Sequence, residues 1–275
     1  MIGNRQEYDI MAAVESQHWW YKTLHGQVIQ AIERHSQKTI QLSTQLITNS
    51  SPYAKTSPFN LKILDAGCGT GGLLVALKNA GFNHAEGFDL STDAVEHAKS
   101  RGLAVKLGDL AQLADVAAPQ SYDVIVNNDT LYHLSIYQRT VFFKSCLNLL
   151  KPNGIMILNV PALNAFKGNH DFAVGITERF SKSTLVPFIQ STGFEVARSQ
   201  YWPFVLSPII WATRATQKFQ RNVSKPTDGY RSDLGLPHPT INKILQALCA
   251  CEGTSGIKPP WGSSLFLVLT KPNHF

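Results

Sequence analysis

The stretch ILDAGCGTGG, residues 63–72, is a short apolar run that leads into a glycine-rich turn containing Gly67, Gly69 and Gly72. Their G-x-G-x-x-G spacing is typical of a tight turn between a strand and a helix, where the backbone approaches a ligand closely. Any ligand pressed against such a turn needs glycines in similar places. The spacing is therefore a weak indication of a dinucleotide, and the surrounding residues must identify the ligand.

Short apolar runs alternate with helical stretches from Leu61 onward. This alternation predicts an α/β fold with a parallel sheet built from crossover units. The runs are LKILD (61–65), HAEGFD (84–89), LAVKLGD (103–109), YDVIVNN (122–128) and GIMILNV (154–160), and the helical stretches are 72–80, 91–101 and 135–150. A further helix and strand are predicted within 183–202, and SSLFLVLTK (263–271) is predicted to be the last strand.

The flanking segments predict how the chain is organised. Residues 5–36 have helical patterns with a break near 17–20, and residues 37–60 are rich in Ser, Thr and Pro, which indicates a connection. We expect a helical cap and linker over 1–60 and a larger domain over 61–275, with substrate-side inserts at about 161–182 and an irregular one at 203–262. Ser91 or Thr92 is the expected N-cap of one helix, and Pro152 and Gly154 are expected to end another.

Composition limits the classes of protein to consider. The chain has 275 residues, 44% of them hydrophobic, which suits one elaborated globular domain with a large core. Its net charge of +6 is spread without a Lys/Arg block, so a solvated basic surface is favoured over nucleic-acid binding. The four cysteines lack zinc-like or disulfide-like spacing, and no run reaches the roughly 18 apolar residues of a spanning helix. We expect reduced thiols and a cytoplasmic protein.

An acidic residue ends each of the first three predicted strands: Asp65, Asp89 and Asp109. In an open parallel sheet the ligand lies at the carboxyl ends of the strands, so these carboxylates are expected to surround it. Asp65 would repel a pyrophosphate, but it suits a ligand with an ammonium and a sulfonium group. Asp89 can accept from two ribose hydroxyls. Asp109 can accept from an adenine amino group, beside the apolar face of Leu110.

The motifs LDAGCGTGG, GFDLS, GDL and YDVIVNNDTLYHL resemble, in this order, those of class I S-adenosylmethionine-dependent methyltransferases, from about Leu61 to Val160. The resemblance implies a Rossmann-like, seven-stranded, mostly parallel sheet with helices on both faces and an antiparallel last strand. It also implies a methyltransferase whose cofactor is S-adenosylmethionine. The cofactor contacts that it assigns are Asp65, Gly67, Gly69, Asp89, Leu90, Asp109, Leu110 and the backbone near Asn128.

The stretch HWWYKTL (18–24) resembles the HWWF-type N-terminus of bacterial small-molecule methyltransferases with type 11 or 12 cores. This resemblance implies that Trp20 and Tyr21 cover the cofactor pocket. Lys22 and His25 stand where that family usually has arginines, which argues against an arginine clamp for a carboxylate. The alternative is that the aromatic residues dock the N-terminal helices, and both roles are compatible.

Two histidines are candidates for contact with the methyl acceptor. His133 follows the fourth strand, where the fold faces its substrate, and it can be the base for a hydroxyl or an amine. His170 lies in a segment after the fifth strand that often forms a substrate lid. The structural alternatives are a loop hydrogen bond for His133, and a turn formed by His170 and Asp171.

The motif DTLYH (129–133) aligns with the E-x-x-E-H run that can hold a divalent metal in ubiquinone-pathway O-methyltransferases. Tyr132 replaces the second glutamate, and one carboxylate with one imidazole is a poor site for a hard metal. The sequence therefore predicts no metal.

The insert after 201 has cations at Arg214, Lys218, Arg221 and Lys225, a spacing that places them along one helical face. Beside apolar residues, such cations are compatible with weak contact to a membrane surface or with a lipid acceptor. We favour a helix that covers the active site and exposes a solvated basic face. NNDT stands where nucleic-acid methyltransferases have N-P-P-Y or D-P-P-Y, which argues against a nucleic-acid substrate.

Three functions remain open at this point. The first is methyl transfer to a small or mid-sized organic acceptor, on oxygen or nitrogen rather than carbon, in an apolar pocket under a lid. The others are a peripheral-membrane protein that acts on or binds a lipid or glycolipid, and a methyltransferase fold kept only for binding. The intact carboxylates favour an enzyme.

The cofactor assignment can be tested by calorimetry. We expect S-adenosylmethionine to bind and NAD not to bind, because Asp65 suits a cationic ligand. Asp89→Ala should weaken cofactor binding by about 1–3 kcal/mol, the cost of stranding buried hydrogen-bonding groups. Micromolar binding of NAD, without a response to S-adenosylmethionine or S-adenosylhomocysteine, would contradict the assignment.

Overall fold

The computed structural model describes residues 5–46, 60–223, 235–254 and 258–272. Its helices are α1 (Arg5–Val14), α2 (Trp19–Leu46), α3 (Gly72–Asn79), α4 (Thr92–Ser100), α5 (Ile136–Leu149), α6 (Asn169–Val174), α7 (Lys182–Ser191), α8 (Ser207–Val223) and α9 (Pro239–Thr254). Its strands are β1 (Ile63–Ala66), β2 (Ala85–Asp89), β3 (Val105–Leu107), β4 (Tyr122–Asn128), β5 (Leu150–Pro161), β6 (Glu195–Trp202) and β7 (Ser264–Thr270).

The strands form one sheet in the order β3-β2-β1-β4-β5-β7-β6. Strands β1 to β5 are parallel, and β7 lies antiparallel between β5 and β6. The predicted seven-stranded, mostly parallel sheet with an antiparallel last strand is confirmed. The strand order switches direction between β1 and β4, which is where ligands bind in open sheets of this kind.

Apolar side chains cover both faces of the sheet. In β1, Leu64 packs in the cluster that contains Phe142 of α5 and Leu185 of α7. Its neighbour Ile63 packs in a second cluster with residues of α2 and α3, including Leu24. Successive residues of a strand point to opposite faces, so helices cover both sides, as the resemblance implied.

Several predicted boundaries need correction. The break near 17–20 is confirmed, but α2 runs to Leu46, into the predicted connection, because 37–46 contain no glycine or proline to stop it. Residues 47–59 lie outside the described part. Helix α5 ends at Leu149 rather than at Pro152, because Leu150 is already extended and starts β5. Ser91 is the N-cap of α4, and its side chain accepts from the N–H of Ala94.

The insert at 203–262 is largely helical rather than irregular. Pro239 is the first residue of α9, a position where its missing N–H costs nothing. The carboxylate of Glu252 in α9 accepts from the N–H groups of Phe204 and Val205, at 2.7 and 3.1 Å, just before α8 begins. A negative charge is favourable at a helix N-terminus, so α9 fixes the start of α8.

The predicted solvated basic face of α8 is wrong for Arg214, whereas Lys218 agrees with it. Arg214 is half-buried and lines a cavity, whereas Lys218 is exposed. Ile210, four positions earlier, is also half-buried and lines the same cavity, so Arg214 lies on the inward side of the helix. The side chain of Arg221 and the whole of Lys225 lie outside the described residues. In the part of the chain that is described, no helix is both long and apolar enough to cross a membrane.

Candidate active site

A cavity of about 650 Å³ opens at the carboxyl ends of the central strands. Every residue predicted above as a cofactor, substrate or catalytic contact lines it. These residues are Trp20, Tyr21, Asp65, Gly67, Gly69, Asp89, Leu90, Asp109, Leu110, Asn128, His133 and His170. The structure therefore brings the predicted residues together, while their roles in binding remain predictions.

The glycine turn has no room for side chains. Gly67 has φ +83°, and a Cβ there would lie 2.8 Å from Cγ2 of Thr130. Gly69 has φ +53°, and its Cβ would lie 2.9 Å from Cε of Met11 in α1. Both conformations favour glycine. The N-terminal cap therefore touches the turn directly, which the spacing of the glycines did not indicate.

Two of the strand-end acids also organise the loops. The carboxylate of Asp89 accepts from the N–H of Gly69 at 2.8 Å and from the N–H of Ser91 at 2.9 Å. Asp109 accepts from the N–H of Ala111 at 2.9 Å, at the start of a short 3₁₀ turn. Burial raises the pKa of Asp89. A carboxylate oxygen has two acceptor sites, so these contacts leave capacity for a ligand.

Asp65 is the most deeply placed of the three acids. It is 3% exposed, and burial, then the charges of Asp89 and Glu15, raise its pKa to about 8. A cationic group beside Asp65 would offset the free-energy cost of burying its negative charge. The side-chain Oδ1 of Asn128 is buried without a hydrogen-bond partner among the described residues. Buried acceptors that need donors or cations fit the ammonium and hydroxyl groups of S-adenosylmethionine.

The aromatic segment both docks the cap and lines the cavity. The ring of Trp20 stacks on Trp202 of β6, with centroids 5.5 Å apart and planes 23° apart. Tyr21 meets Trp20 edge-on at 5.2 Å. The N–H of Trp19 donates to Oδ1 of Asn242 in α9 at 2.8 Å, which satisfies the exposed start of α2. The two roles considered for these aromatics therefore occur together in the geometry.

Glu15 is a buried residue that the sequence did not single out. Its carboxylate accepts from the hydroxyl of Thr70 at 2.8 Å and forms an ion pair with Arg101. A Cβ on Gly72 would lie 2.4 Å from this carboxylate. Glu15 therefore fastens the α1–α2 cap to the glycine turn. No local pattern signals it, because its partners lie more than fifty residues away.

The two candidate histidines occupy different places. His133 is exposed at the rim, with its ring 4.4 Å from that of Tyr132. Partial burial of the ring lowers its pKa, which favours the neutral form that a base requires. His170 lines the cavity near His18, whose pKa is lowered by burial and then by the charge of His170.

Two arginines line the cavity although Lys22 and His25 had argued against an arginine clamp. One is the half-buried Arg214 of α8. The other, Arg179, is committed to Asp171, with Nε 2.5 Å from Oδ1 and Nη2 3.0 Å from Oδ2, and it also donates to two backbone carbonyls. Asp171 accepts from the N–H of Gly168 as well, at 2.9 Å, so it has the turn-forming role given above as the alternative.

Asp129 is the acid that the sequence considered only as a metal ligand. It lines the cavity with φ +51°, and burial raises its pKa to about 7, against opposing contributions from Asn159 and Arg179. In the described ranges, no cluster of three or more His, Cys, Asp or Glu side chains is arranged to hold a metal ion. The absence of a metal requirement stays a prediction.

Comparisons with known proteins agree with this geometry. The profile of a methyltransferase domain matches residues 26–199. A phosphoethanolamine N-methyltransferase of Triticum aestivum is 29% identical over 185 residues, 63% of this chain and 34% of that protein. A ubiquinone biosynthesis O-methyltransferase of Parvibaculum lavamentivorans is 33% identical over 123 residues, 42% of this chain and 46% of that protein. The chain thus matches between a third and half of the length of these relatives.

A solved structure of an S-adenosylmethionine-dependent methyltransferase from Archaeoglobus fulgidus has a similar fold. The TM-score is 0.51 at 14% identity, over 86% of this chain and 94% of that one. At this identity the likeness concerns the fold alone.

The raised pKa of Asp65 makes a prediction about stability. The folded protein holds a proton on Asp65 up to about pH 8, whereas the unfolded chain loses it near its ordinary pKa of 3.8, so stability falls as the pH rises through this range. We expect Asp65→Asn to raise the Tm of the ligand-free protein by a few degrees at pH 8.5 and to change it little at pH 4.

Differential scanning calorimetry measures this effect, with Asp123→Asn as the matched control. Asp123 pairs with Lys151 at 2.7 Å, so its replacement should lower the Tm or leave it unchanged at pH 8.5. A Tm of the Asp65→Asn protein that is unchanged or lower at pH 8.5 would show that the carboxylate is not a buried, uncompensated acid.

Proposed function

This chain belongs to the methyltransferase-domain family, and we propose that it transfers the methyl group of S-adenosylmethionine to a small or mid-sized organic acceptor, on oxygen or nitrogen. One observation carries the proposal. The strand-end acids Asp65, Asp89 and Asp109 share a single cavity with the aromatic cap and the segment around His170. A cofactor half and an acceptor half therefore meet at one place.

The cofactor half is formed by the chain's own loops. Asp65 would hold the ammonium group, Asp89 the ribose hydroxyls and Asp109 the adenine amino group. The backbone at Gly67 and Gly69 leaves space for the close approach of a ligand. When bound, the cofactor supplies an electrophilic methyl group on a sulfonium.

The acceptor half is mainly apolar. Its walls come from α2, the α6 segment and α8, and they include Trp20, Tyr21, Val174 and Ile210. Such a cavity suits a mid-sized organic molecule, and its volume lies in the usual range of roughly 300–1,000 Å³ for small-molecule sites. Displacement at carbon depends on in-line positioning and on exclusion of water, which a lid of this kind provides.

The relatives support oxygen or nitrogen as the accepting atom, since one is an N-methyltransferase and the other an O-methyltransferase. The HWWYKTL stretch supports assignment to the HWWF-type small-molecule subgroup. A cytoplasmic location is part of the same proposal.

Turnover with defined acceptors tests the proposal. The purified chain should release S-adenosylhomocysteine, measured by mass spectrometry, with at least one member of a panel that includes phosphoethanolamine and catechol. Tyr21→Ala should lower turnover by about tenfold, a loss of about 1.4 kcal/mol in transition-state stabilisation, with a smaller effect on Tm. His133→Ala should lower turnover mainly for acceptors that must lose a proton.

The control is Tyr137→Ala, because Tyr137 is 78% exposed and is not part of the cavity wall. Equal losses of turnover in the Tyr21 and Tyr137 variants would contradict the lid. Failure of S-adenosylhomocysteine to bind at all would contradict the enzyme assignment.

A second candidate, a lipid or glycolipid acceptor reached from a membrane surface, is favoured by the outward side of α8. Exposed apolar side chains there are Trp211 and Phe219, the latter 71% exposed, and Val205 is exposed just before the helix. The helix sequence contains no acid, and Lys218 is exposed beside the apolar residues. Apolar and cationic groups together bind anionic lipid surfaces.

Sedimentation with vesicles distinguishes this candidate. We expect binding to vesicles of phosphatidylglycerol and phosphatidylcholine, weakened by added salt and about tenfold by the double change Trp211→Ser and Phe219→Ser. Tyr137→Ser is the matched control and should bind like the wild type. No sedimentation with anionic vesicles at low salt would rule out the membrane surface.

A further inference from the structure

Asn159 is a fully buried polar residue near the carboxyl end of β5. Its side chain is joined to Asp129, which lines the cavity, and to Trp202, on which the cap stacks. Nδ2 donates to Oδ2 of Asp129 at 2.8 Å, and Oδ1 accepts from Nε1 of Trp202 at 2.8 Å. Its backbone carbonyl accepts from the N–H of Asp129 at 2.9 Å. A buried amide in a central strand requires such partners, and here Asn159 holds Asp129 at two points, one on its carboxylate and one on its backbone N–H.

Asp129 is held in an unusual conformation by these bonds. Its φ of +51° is rare for a residue with a side chain and persists where the surroundings impose it. Asn159 engages only Oδ2, and within the described residues no hydrogen bond to Oδ1 is seen. Because Asp129 lines the cavity, the second carboxylate oxygen is left for a ligand.

Among the described residues, the groups around Asp129 do not supply a free counter-charge. Tyr21 faces it from α2 and Tyr132 from the neighbouring turn, and burial raises the pKa of both phenols, so they stay uncharged. Arg179 is the cation nearby, but Asp171 takes two of its hydrogen bonds and backbone carbonyls take the rest of those seen. A buried carboxylate in such surroundings favours a ligand that brings its own positive charge.

We propose that Asp129 contacts the methyl acceptor as counter-ion and proton acceptor of an amine, and that Asn159 is the positioning residue that holds it. The inference rests on the proposed methyl transfer and names its substrate class. A proton of the ammonium passes to the carboxylate of Asp129. The freed lone pair of the nitrogen forms the bond to the methyl carbon, and the carbon–sulfur bond breaks with its electron pair on sulfur.

The same geometry connects the acceptor to the cap. Trp202 donates to Asn159 from one edge of its indole ring, and Trp20 of the cap stacks on its face. Trp202 is itself 2% exposed, so it has little freedom to move independently. Asn159 is therefore anchored against a surface that the cap completes.

The first test follows the carboxyl carbon of Asp129 by NMR during pH titration of the complex with S-adenosylhomocysteine, with Asp129→Asn used to assign the signal. The midpoint is expected near the raised pKa of about 7. Asn159→Leu removes the donor to Oδ2 and should raise the midpoint by about one unit or more. Trp202→Phe keeps the donor on Asn159 and should shift the titration midpoint of Asp129 less. The same midpoint in the wild type and in Asn159→Leu would overturn the positioning role.

If Asn159→Leu does not fold, Asn159→Ser provides the same comparison. A smaller polar side chain there no longer reaches Asp129, so its titration should shift in the same direction. A midpoint identical to the wild type in this variant would equally overturn the role of Asn159.

The second test adds ethanolamine, tyramine, phosphoethanolamine or catechol to the same complex. At least one amine should lower the midpoint of Asp129 by about one unit, because an ammonium group favours the charged carboxylate. The neutral catechol should not. If no amine moves the midpoint, or catechol does so equally, the amine assignment is wrong.

Calorimetry with S-adenosylhomocysteine on the same samples separates two kinds of failure. If S-adenosylhomocysteine binds normally but the titration midpoint of Asp129 does not respond to amines or to replacement of Asn159, only this inference is overturned. Loss of binding in the wild-type protein overturns the proposed function.

Discussion

The carboxylate of Asp89 holds together the part of the fold on which the site depends. One oxygen accepts from the N–H of Gly69 in the turn after β1, and the other from the N–H of Ser91 at the start of α4. Two loops from neighbouring strands are thereby fixed to one side chain. Charge-assisted bonds from backbone N–H groups are stronger than neutral ones, so this contact can hold a turn in which most positions are glycine.

The fold was largely predictable because its signals are local. Alternating apolar runs and helical patterns gave the parallel strands, and Ser91 marked a helix start that the structure confirms. The errors arose where local signals were weak. Ser and Thr between 37 and 46 suggested a connection, yet no residue there breaks a helix, and α2 continues to Leu46. In the insert, α8 and α9 are fixed by contacts such as Glu252 with Phe204, which join distant residues.

The site residues that could be predicted have local sequence signals, and those that could not be predicted depend on contacts between distant residues. Asp65, Asp89 and Asp109 could be found because each directly ends a strand, and parallel strands bring their carboxyl ends to one edge. Glu15 and Asn159 could not be found, because each acts through partners far away in the chain. An asparagine inside an apolar strand was the only available hint, and it became informative once Asp129 and Trp202 were seen beside it.

The N-terminal cap is where the two halves of the site become physically linked. Through Glu15 and Met11 the cap contacts the glycine turn, where the cofactor is expected. Through Trp20 it stacks on Trp202, which supports Asn159 and the acceptor side. If the cofactor orders the cap through the glycine turn, the contact of the cap with Trp202 becomes easier to form. If the acceptor orders the cap through Trp202, the contact with the glycine turn becomes easier to form. Thermodynamic linkage makes this coupling reciprocal, so cofactor and acceptor should each strengthen the binding of the other through the same helices.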